Sequence, residues 1–444
     1  MLTIPSVALA AGPAKPRNFV VLFTDDQGAH DLGCYGAGDL LTPHIDSLAA
    51  SGARFTNWYS NAPVCAPSRA SLLTGRYPIR AGVPGNGPAL PSSQRTVASL
   101  LKPKGYATGL IGKWHLGYDA GASPNAHGFD YFYGFHSGCV DFYSHRYYWG
   151  ESGNRGQVNY HDLWRNRQEI FEDGEYLTDR LTEEACGFIR RNAERPFLLC
   201  ATFNAPHYPM HAPARYLNRF AALEPERRTY AAMIAAVDDG VGRIRQTLKQ
   251  QGLENNTMIF FAADNGATTE ARAGLDQKPA TAGDNSPYRG FKFSLFDGGM
   301  HVPGIVSCPG VIPGGKTISE VVMTMDITPT ILAASGATPS DGYRFDGADI
   351  LAVAKGESRS PHEAIFWKQG QQAAVRKGKW KLVLNGATYD RSPEGRKPLG
   401  GEDTVFLSDL EADPGESVNL RRRNPQLADE LESLLARWQR DVGE

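Results

Sequence analysis

Six short stretches carry side chains able to bind a cation, present a nucleophile or move a proton. Asp25-Asp26 and Asp264-Asn265 offer oxygen donors only, a set that suits a hard cation such as Ca²⁺, or Mg²⁺ as a weaker alternative, better than zinc. Cys65 opens the run Cys65-Ala66-Pro67-Ser68-Arg69-Ala70-Ser71-Leu72-Leu73-Thr74-Gly75-Arg76. Pro67 fits a first helical position and Gly75 a helix stop, so the run reads as a loop entering a short helix. A thiol just before a helix N-terminus sees free N–H groups and the positive end of the dipole, which lower its pKa and favour an anion beside it. Arg69, one turn on, is placed to grip a tetrahedral oxyanion. A buried structural cysteine before an ordinary helix is the competing account. Lys113-Trp114-His115, His207 and Lys292 add cations and acid–base groups.

These residues need elements that bring them together. Phe19 to Thr24 is a continuous apolar run of strand length ending at Asp25-Asp26. Thr108 to Gly112 ends at Lys113, Phe197 to Phe203 leads to His207, and Met258 to Ala263 ends at Asp264. Four strands thus deliver polar groups at their carboxyl ends, where open α/β sheets place ligands. Between them, Tyr230, Ile234, Val237, Val241, Ile244 and Leu248 trace one buried face of a long helix starting at Pro225, and Thr42 to Ser51 predicts a shorter one. Asp238 and Asp239, inside the long helix, read as solvated or structural. The alternation predicts an α/β sandwich with a large, mostly parallel central sheet flanked by helices. After residue 345 come short strands near 364–367, 373–376, 380–384 and 405–407 and an amphipathic helix from Gln426 to Trp438, which predict a small α+β subdomain on an antiparallel sheet. The expected division is 1–17 as a signal remnant or disordered start, 18–345 as the main domain and 346–444 as the subdomain.

Residues 129 to 164 interleave aromatic side chains from Phe129 to Trp164 with Arg146, Arg155, His136, His145 and His161. Two accounts compete: rings folded onto the core, or a rim stacking on sugar faces with arginines holding anionic groups. The polar loop Thr268 to Tyr288 is expected to border the same site.

Forty-six basic and 48 acidic side chains in 444 residues leave a net charge of −2, which points to no nucleic-acid partner and to local rather than global anion binding. Six scattered cysteines show neither a CxxC pair nor zinc spacing. No apolar stretch reaches the roughly 18 residues of a membrane span. Ala8-Leu9-Ala10 has the small-x-small form of a signal-peptidase site, so a periplasmic or secreted location is the expectation.

Cys-x-Pro-Ser-Arg followed by Ala-Ser-Leu-Leu-Thr-Gly-Arg resembles the signature of the type I sulfatases, of the alkaline-phosphatase-like superfamily. With the segment Asp409 to Leu420 it extends the likeness from about Asn18 to Trp438. The resemblance implies that Cys65 is oxidised to formylglycine by a formylglycine-generating or sulfatase-maturating enzyme, and that the hydrated aldehyde is the nucleophile. It implies one Ca²⁺ held by Asp25, Asp26, Asp264 and Asn265 together with an oxygen at position 65. Arg69 and Lys113 become cations for the sulfate, His115 the base for the second hydroxyl, and His207 with Lys292 the pair beside the leaving oxygen. One departure stands out: Asp297-Gly298-Gly299 replaces the family's usual Glu-Gly-Gly, which puts the support of Lys292 in question. The substrate expected from the overall pattern, similar to arylsulfatases and N-acetylgalactosamine-6-sulfatases, is a sulfated saccharide or an aryl sulfate. A phosphate or phosphonate ester hydrolase of the same superfamily and a non-catalytic Ca²⁺-dependent glycan binder are the competing readings.

Overall fold

The computed structural model describes residues 18–147, 159–275, 278–339, 342–391 and 395–443. The Ala8-Leu9-Ala10 reading, Tyr148, Trp149 and Arg155 lie outside them.

Strands β1 (Asn18–Thr24), β2 (Ala107–Lys113), β3 (Phe197–Thr202) and β4 (Thr257–Ala263) are fully buried along their lengths. They pair in parallel in the order β4, β1, β3, β2, with Phe19 facing both Leu198 and Met258. Burial on both faces explains why each reads as an unbroken apolar run rather than an alternating one. The sheet reaches ten strands: beyond β2 lie Tyr131–Phe135, Trp164–Arg165 and Gln168–Glu169, and beyond β4 lie Gly304–Ser307, Ala53–Phe55 and Lys316–Ile318. Gly304–Ser307 runs antiparallel to β4, so the sheet is mixed.

Alternation within each strand feeds two apolar layers. Val20 and Leu22 point to one side, among α1 (Pro43–Ala50), α3 (Leu177–Arg191) and α4 (Pro225–Gln250). Phe19, Val21 and Phe23 point to the other, with Ala66, Ala70 and Leu72 of α2 (Cys65–Thr74). The predicted face of α4 is buried from Tyr230 to Leu248. Each such aliphatic side chain contributes about 1.5–3 kcal/mol by leaving water. Asp238 is structural: its carboxylate accepts from the backbone N–H groups of Ile45 at 2.8 Å and His44 at 3.2 Å, capping α1. Asp239 pairs with Arg219 on the surface.

The C-terminal strands Ile365–Gln369, Gln372–Lys377, Trp380–Leu384 and Val405–Asp409 form a separate antiparallel sheet, covered by α5 (Pro425–Val442) through Leu431, Leu435 and Trp438. Leu295, Phe296, Met300 and Tyr59 share that core, so the small sheet packs directly on the loop that follows Lys292. The short helix Leu351–Ala354 belongs instead to the layer beneath the large sheet, through Val353 and Ala354. All six cysteines are free thiols. Among the described residues no helix is long and apolar enough to cross a membrane.

Candidate active site

The carboxyl ends of β1, β2 and β4 place Asp25, Asp26, Lys113 and Asp264 side by side, with Asn265 one residue on. His115 and His207 follow in the turns after β2 and β3. Asp26 and His115 both have left-handed backbones, φ 57° and 56°. Such geometry is uncommon for non-glycine residues and marks the chain turning sharply out of the sheet to aim a side chain.

Helix α2 begins at Cys65 itself, two residues earlier than Pro67 suggested. A proline in the first turn lacks only an N–H that has no partner inside the helix. The Cys65 thiol lies 3.4 Å from Asp25 Oδ1 and 3.9 Å from Asp26 Oδ1. Burial, with Asp25 beside it, pushes the thiol well above its ordinary pKa and overrides the helix terminus, reversing the sequence expectation of an acidified cysteine.

Beneath the thiol, charges interlock. Arg69 donates to Asp264 Oδ2 from Nε at 3.1 Å and from Nη2 at 2.8 Å, and its Nη1 donates to the Lys113 carbonyl at 3.2 Å. Lys113 Nζ donates to Asp25 Oδ2 at 2.6 Å, and Lys292 Nζ to Asp26 Oδ2 at 3.0 Å. Arg69 and Lys113 therefore face the carboxylates beneath the thiol. Burial and the neighbouring Asp264 nonetheless push Asp25 up to about 7, against the pull of Lys113 and Arg69. Burial raises Asp26 too, more than Lys292 offsets. It also pushes Asp264 upward, but Arg69 and Lys113 outweigh it and hold that carboxyl below the usual range.

This donor set fits a hard cation. Asn265 donates through Nδ2 to Asp26 Oδ1 at 2.7 Å, while its carbonyl Oδ1 is buried with no partner among the described residues. A fully buried carbonyl oxygen in a cluster with three carboxylates, two of them raised by burial, is an environment a divalent cation would satisfy. Ligand atoms of Asp25, Asp26, Cys65 and His207 lie within 4.8 Å of one another.

Above the thiol opens a cavity of about 300 Å³ lined by Cys65, Asn86, His115, Tyr118, Tyr147, His207, Tyr208, Arg272 and Lys292, among others. His115 packs against Gly138, where a Cβ would come within 2.7 Å of its Nε2, so only glycine lets the ring sit there. Burial and the cations Lys113, Arg69 and Lys292 hold His115 well below the ordinary histidine pKa, and His207 likewise through burial, Lys292 and Lys113. Both are neutral at pH 7.

Residues not singled out from sequence complete the site, Arg272 in the cavity wall and Glu270 behind it. Glu270 Oε2 lies 3.3 Å from Lys292 Nζ, and its Oε1 accepts from Arg272 Nε at 2.8 Å. The Arg272 guanidinium sits 5.1 Å from the Tyr208 ring centre. The expected border loop is thus present at the site, and it supplies the second acid for Lys292. Asp297 does not: it accepts from Lys381 at 2.5 Å and from Tyr59 at 2.6 Å, tying the Gly298-Gly299 turn to the C-terminal sheet. The shortened side chain at 297 thus leaves Lys292 supported from elsewhere.

The aromatic stretch divides. Phe129, Phe132, Tyr133, Phe135 and Phe142 are core, while Tyr147 reaches the cavity, stacked on Tyr160 at 5.2 Å, with the Tyr160 hydroxyl 3.2 Å from that of Tyr118. Arg146 donates to the Asn159 carbonyl. His136 packs beside Asp162, and His301 stacks on Tyr59 at 4.8 Å, both away from the cavity lining.

Comparison with known proteins is decisive at this point. The sulfatase family model matches residues 17–337. The chain belongs to the sulfatase family. It is 33% identical to N-acetylgalactosamine-6-sulfatase of Canis lupus familiaris over 84% of this chain and 72% of that protein. With steryl-sulfatase of Rattus norvegicus it shares 34% identity over 80% of this chain and 74% of that one. The crystal structure of Ps i-CgsB in complex with k-i-k-neocarrahexaose superposes with a TM-score of 0.82 at 30% identity, covering 96% of this chain and 93% of the other. The fold is therefore that of the alkaline-phosphatase-like sulfatases, and the protein is a sulfatase enzyme.

Proposed function

We propose that this sulfatase hydrolyses sulfate monoesters of carbohydrates at Cys65, after conversion of that residue to formylglycine. The observation that carries the reading is the convergence of three sets of groups on position 65. Interlocked carboxylates and cations lie beneath position 65, the cavity opens above it, and the proton-handling groups His115, His207 and Lys292 surround it. Asp25, Asp26, Asp264 and Asn265 would hold Ca²⁺. When present, that ion would supply positive charge at the sulfate oxygens, and the hydrated aldehyde at 65 an oxygen nucleophile.

The chain's own residues account for the rest. Lys113 and Arg69 hold Asp264 ionised, offset part of the rise in Asp25 and add positive field under the anionic group. His115, neutral and in the cavity wall, accepts a proton from a hydroxyl at position 65. Lys292 and His207, 3.4 Å apart in the same cavity wall, would deliver a proton to the leaving oxygen or share one with it. Tyr118, Tyr147 and Tyr208 offer faces for a sugar ring and Arg272 a cation for a second anionic group. The sugar complex of the 30%-identical neighbour supports a saccharide substrate. Because Cys65 is only 1% exposed, the maturating enzyme would have to meet it before the fold closes. Export to the periplasm or medium belongs to the same reading, on the strength of Ala8-Leu9-Ala10.

The test is release of inorganic sulfate from a panel of defined sulfated saccharides, beside an aryl sulfate and the matching phosphate and phosphonate esters. Sulfate release from one saccharide well above the aryl compound is expected. Preferential turnover of a phosphate or phosphonate ester would replace this reading with the superfamily's other chemistry.

A further inference from the structure

A second cluster of ligand-type side chains lies outside the cavity lining, where the chain leaves and re-enters the sheet edge. His145 and His161 are buried, and Asp173 is exposed beside them. One ligand atom from each lies within 4.8 Å of the others. The hydrogen bonds fix which nitrogens are available. His145 Nε2 lies 3.1 Å from the Glu175 carbonyl, which can only accept, so Nε2 carries the proton and Nδ1 a lone pair. His161 Nδ1 lies 3.1 Å from Glu169 Oε1, so in the neutral ring Nδ1 carries the proton and Nε2 the lone pair. These two nitrogens, His145 Nδ1 and His161 Nε2, are buried and have no hydrogen-bond partner among the described residues.

We propose that His145, His161 and Asp173 form a site for a borderline divalent ion of the zinc type, distinct from the hard-cation site beneath Cys65. Two imidazoles and one carboxylate, with the carboxylate side open to water, are the donor types and number of a three-ligand zinc centre with a solvent position. Each imidazole already donates its other N–H to a carbonyl or carboxylate, the outer partner that orients a metal-binding histidine. Burial holds His145 below the ordinary histidine range, keeping it in the ligand form at neutral pH. Phe171, stacked on His161 at 4.3 Å, shields one face of that ring.

The position gives the ion a consequence. His145 and His161 lie on two segments bridged by Asp162 N–H to the His145 carbonyl and Tyr147 N–H to the Tyr160 carbonyl, both 2.9 Å. Asp173 arrives from the segment after Gln168–Glu169, so one ion would clamp three segments. Tyr147, two residues from His145, lines the cavity above Cys65, and the clamp would fix that wall.

The experiment uses the full chain saturated with Ca²⁺. Titration with Zn²⁺ followed by calorimetry, and elemental analysis after gel filtration, should find one further equivalent per chain and a raised Tm. Co²⁺ should give a visible nitrogen- and oxygen-ligand spectrum without a thiolate charge-transfer band, which separates this site from Cys65. Asp173→Asn, at the exposed ligand, should weaken binding by about 10-fold or more. His161→Gln, with its fold checked by circular dichroism, should abolish it. No additional equivalent in the wild-type chain, or one retained in His161→Gln, would overturn the proposal.

Discussion

Lys292 Nζ lies 3.4 Å from His207 Nε2, and His207 Nδ1 lies 2.8 Å from the Tyr208 carbonyl. The carbonyl can only accept, so Nδ1 holds the proton and the Nε2 lone pair faces the ammonium. The pair is poised to pass a proton from lysine toward whatever oxygen sits beside the imidazole, while Asp26 at 3.0 Å keeps the ammonium charged.

From this relationship, Lys292→Ala and His207→Ala should each lower kcat/KM by about 10²–10⁴-fold, the range of a positioned acid. The loss should grow as the leaving group becomes more basic: large for an alkyl or sugar sulfate, small for a nitrophenyl sulfate that needs no proton. Equal losses on both substrate types, measured side by side, would assign the two residues to binding instead.

Glu270 should act through Lys292 rather than on substrate. It contacts the ammonium at 3.3 Å, and burial of the lysine makes each such partner count. Glu270→Gln should cost less than Lys292→Ala and should lower kcat/KM hardly at all in a Lys292→Ala background. Additive losses in that double-mutant cycle would show that Glu270 has an independent role.

How far these residues were legible follows from where they sit. Asp25, Lys113, His207 and Asp264 stand at or just after the ends of strands whose apolar runs are unmistakable, and a parallel sheet brings such ends together. Glu270 and Arg272 sit in a loop with no periodicity, so nothing in the chain before folding says that 270 meets 292. The aromatic stretch could not be divided from sequence for another reason. Phe132 and Phe135 sit in a short strand buried on both faces, and a buried strand leaves no alternation to separate core rings from Tyr147 at the wall. The raised pKa of Cys65 is not legible from its place at a helix start, because a helix terminus is a weak effect beside complete burial and an adjacent carboxylate.

Metal removal gives the next expectation. Chelation of the purified enzyme should abolish turnover, and Ca²⁺ should restore it. Asp264→Asn should behave like the chelated protein while leaving circular dichroism unchanged, although Arg69 then loses its 2.8 Å partner and Tm should fall by several degrees. Undiminished activity after exhaustive chelation would remove Ca²⁺ from the mechanism.

Stability should also depend on pH through His301. Burial, only partly countered by Asp297 and aided by Arg376, pushes this imidazole down to about 4. Its folded pKa is below the unfolded value of roughly 6.5, so below that pH the unfolded chain takes up a proton that the folded one refuses. The contribution is intact above pH 6.5 and declines toward pH 4. Between pH 7 and pH 5 the wild type should lose about 2 kcal/mol more than His301→Gln, read from urea unfolding at the two pH values. Parallel losses in both proteins would show that His301 is not the group responsible.

The final expectation concerns Cys65 as translated. Its thiol is 1% exposed and held well above its ordinary pKa by burial and by Asp25 at 3.4 Å. A protonated, enclosed thiol is a poor nucleophile, and its transfer product would have no built-in route to release. An aldehyde hydrate at the same place offers two hydroxyls on one carbon, with neutral His115 in the wall to take a proton. Expression with and without a sulfatase-maturating enzyme should therefore give preparations of identical fold whose activity rises in proportion to the converted fraction, read by peptide mass spectrometry of the 65–76 region. Cys65→Ala should be inactive in both. Full turnover from protein whose Cys65 is wholly unmodified would mean that the thiol itself, or another group in the cavity, is the nucleophile.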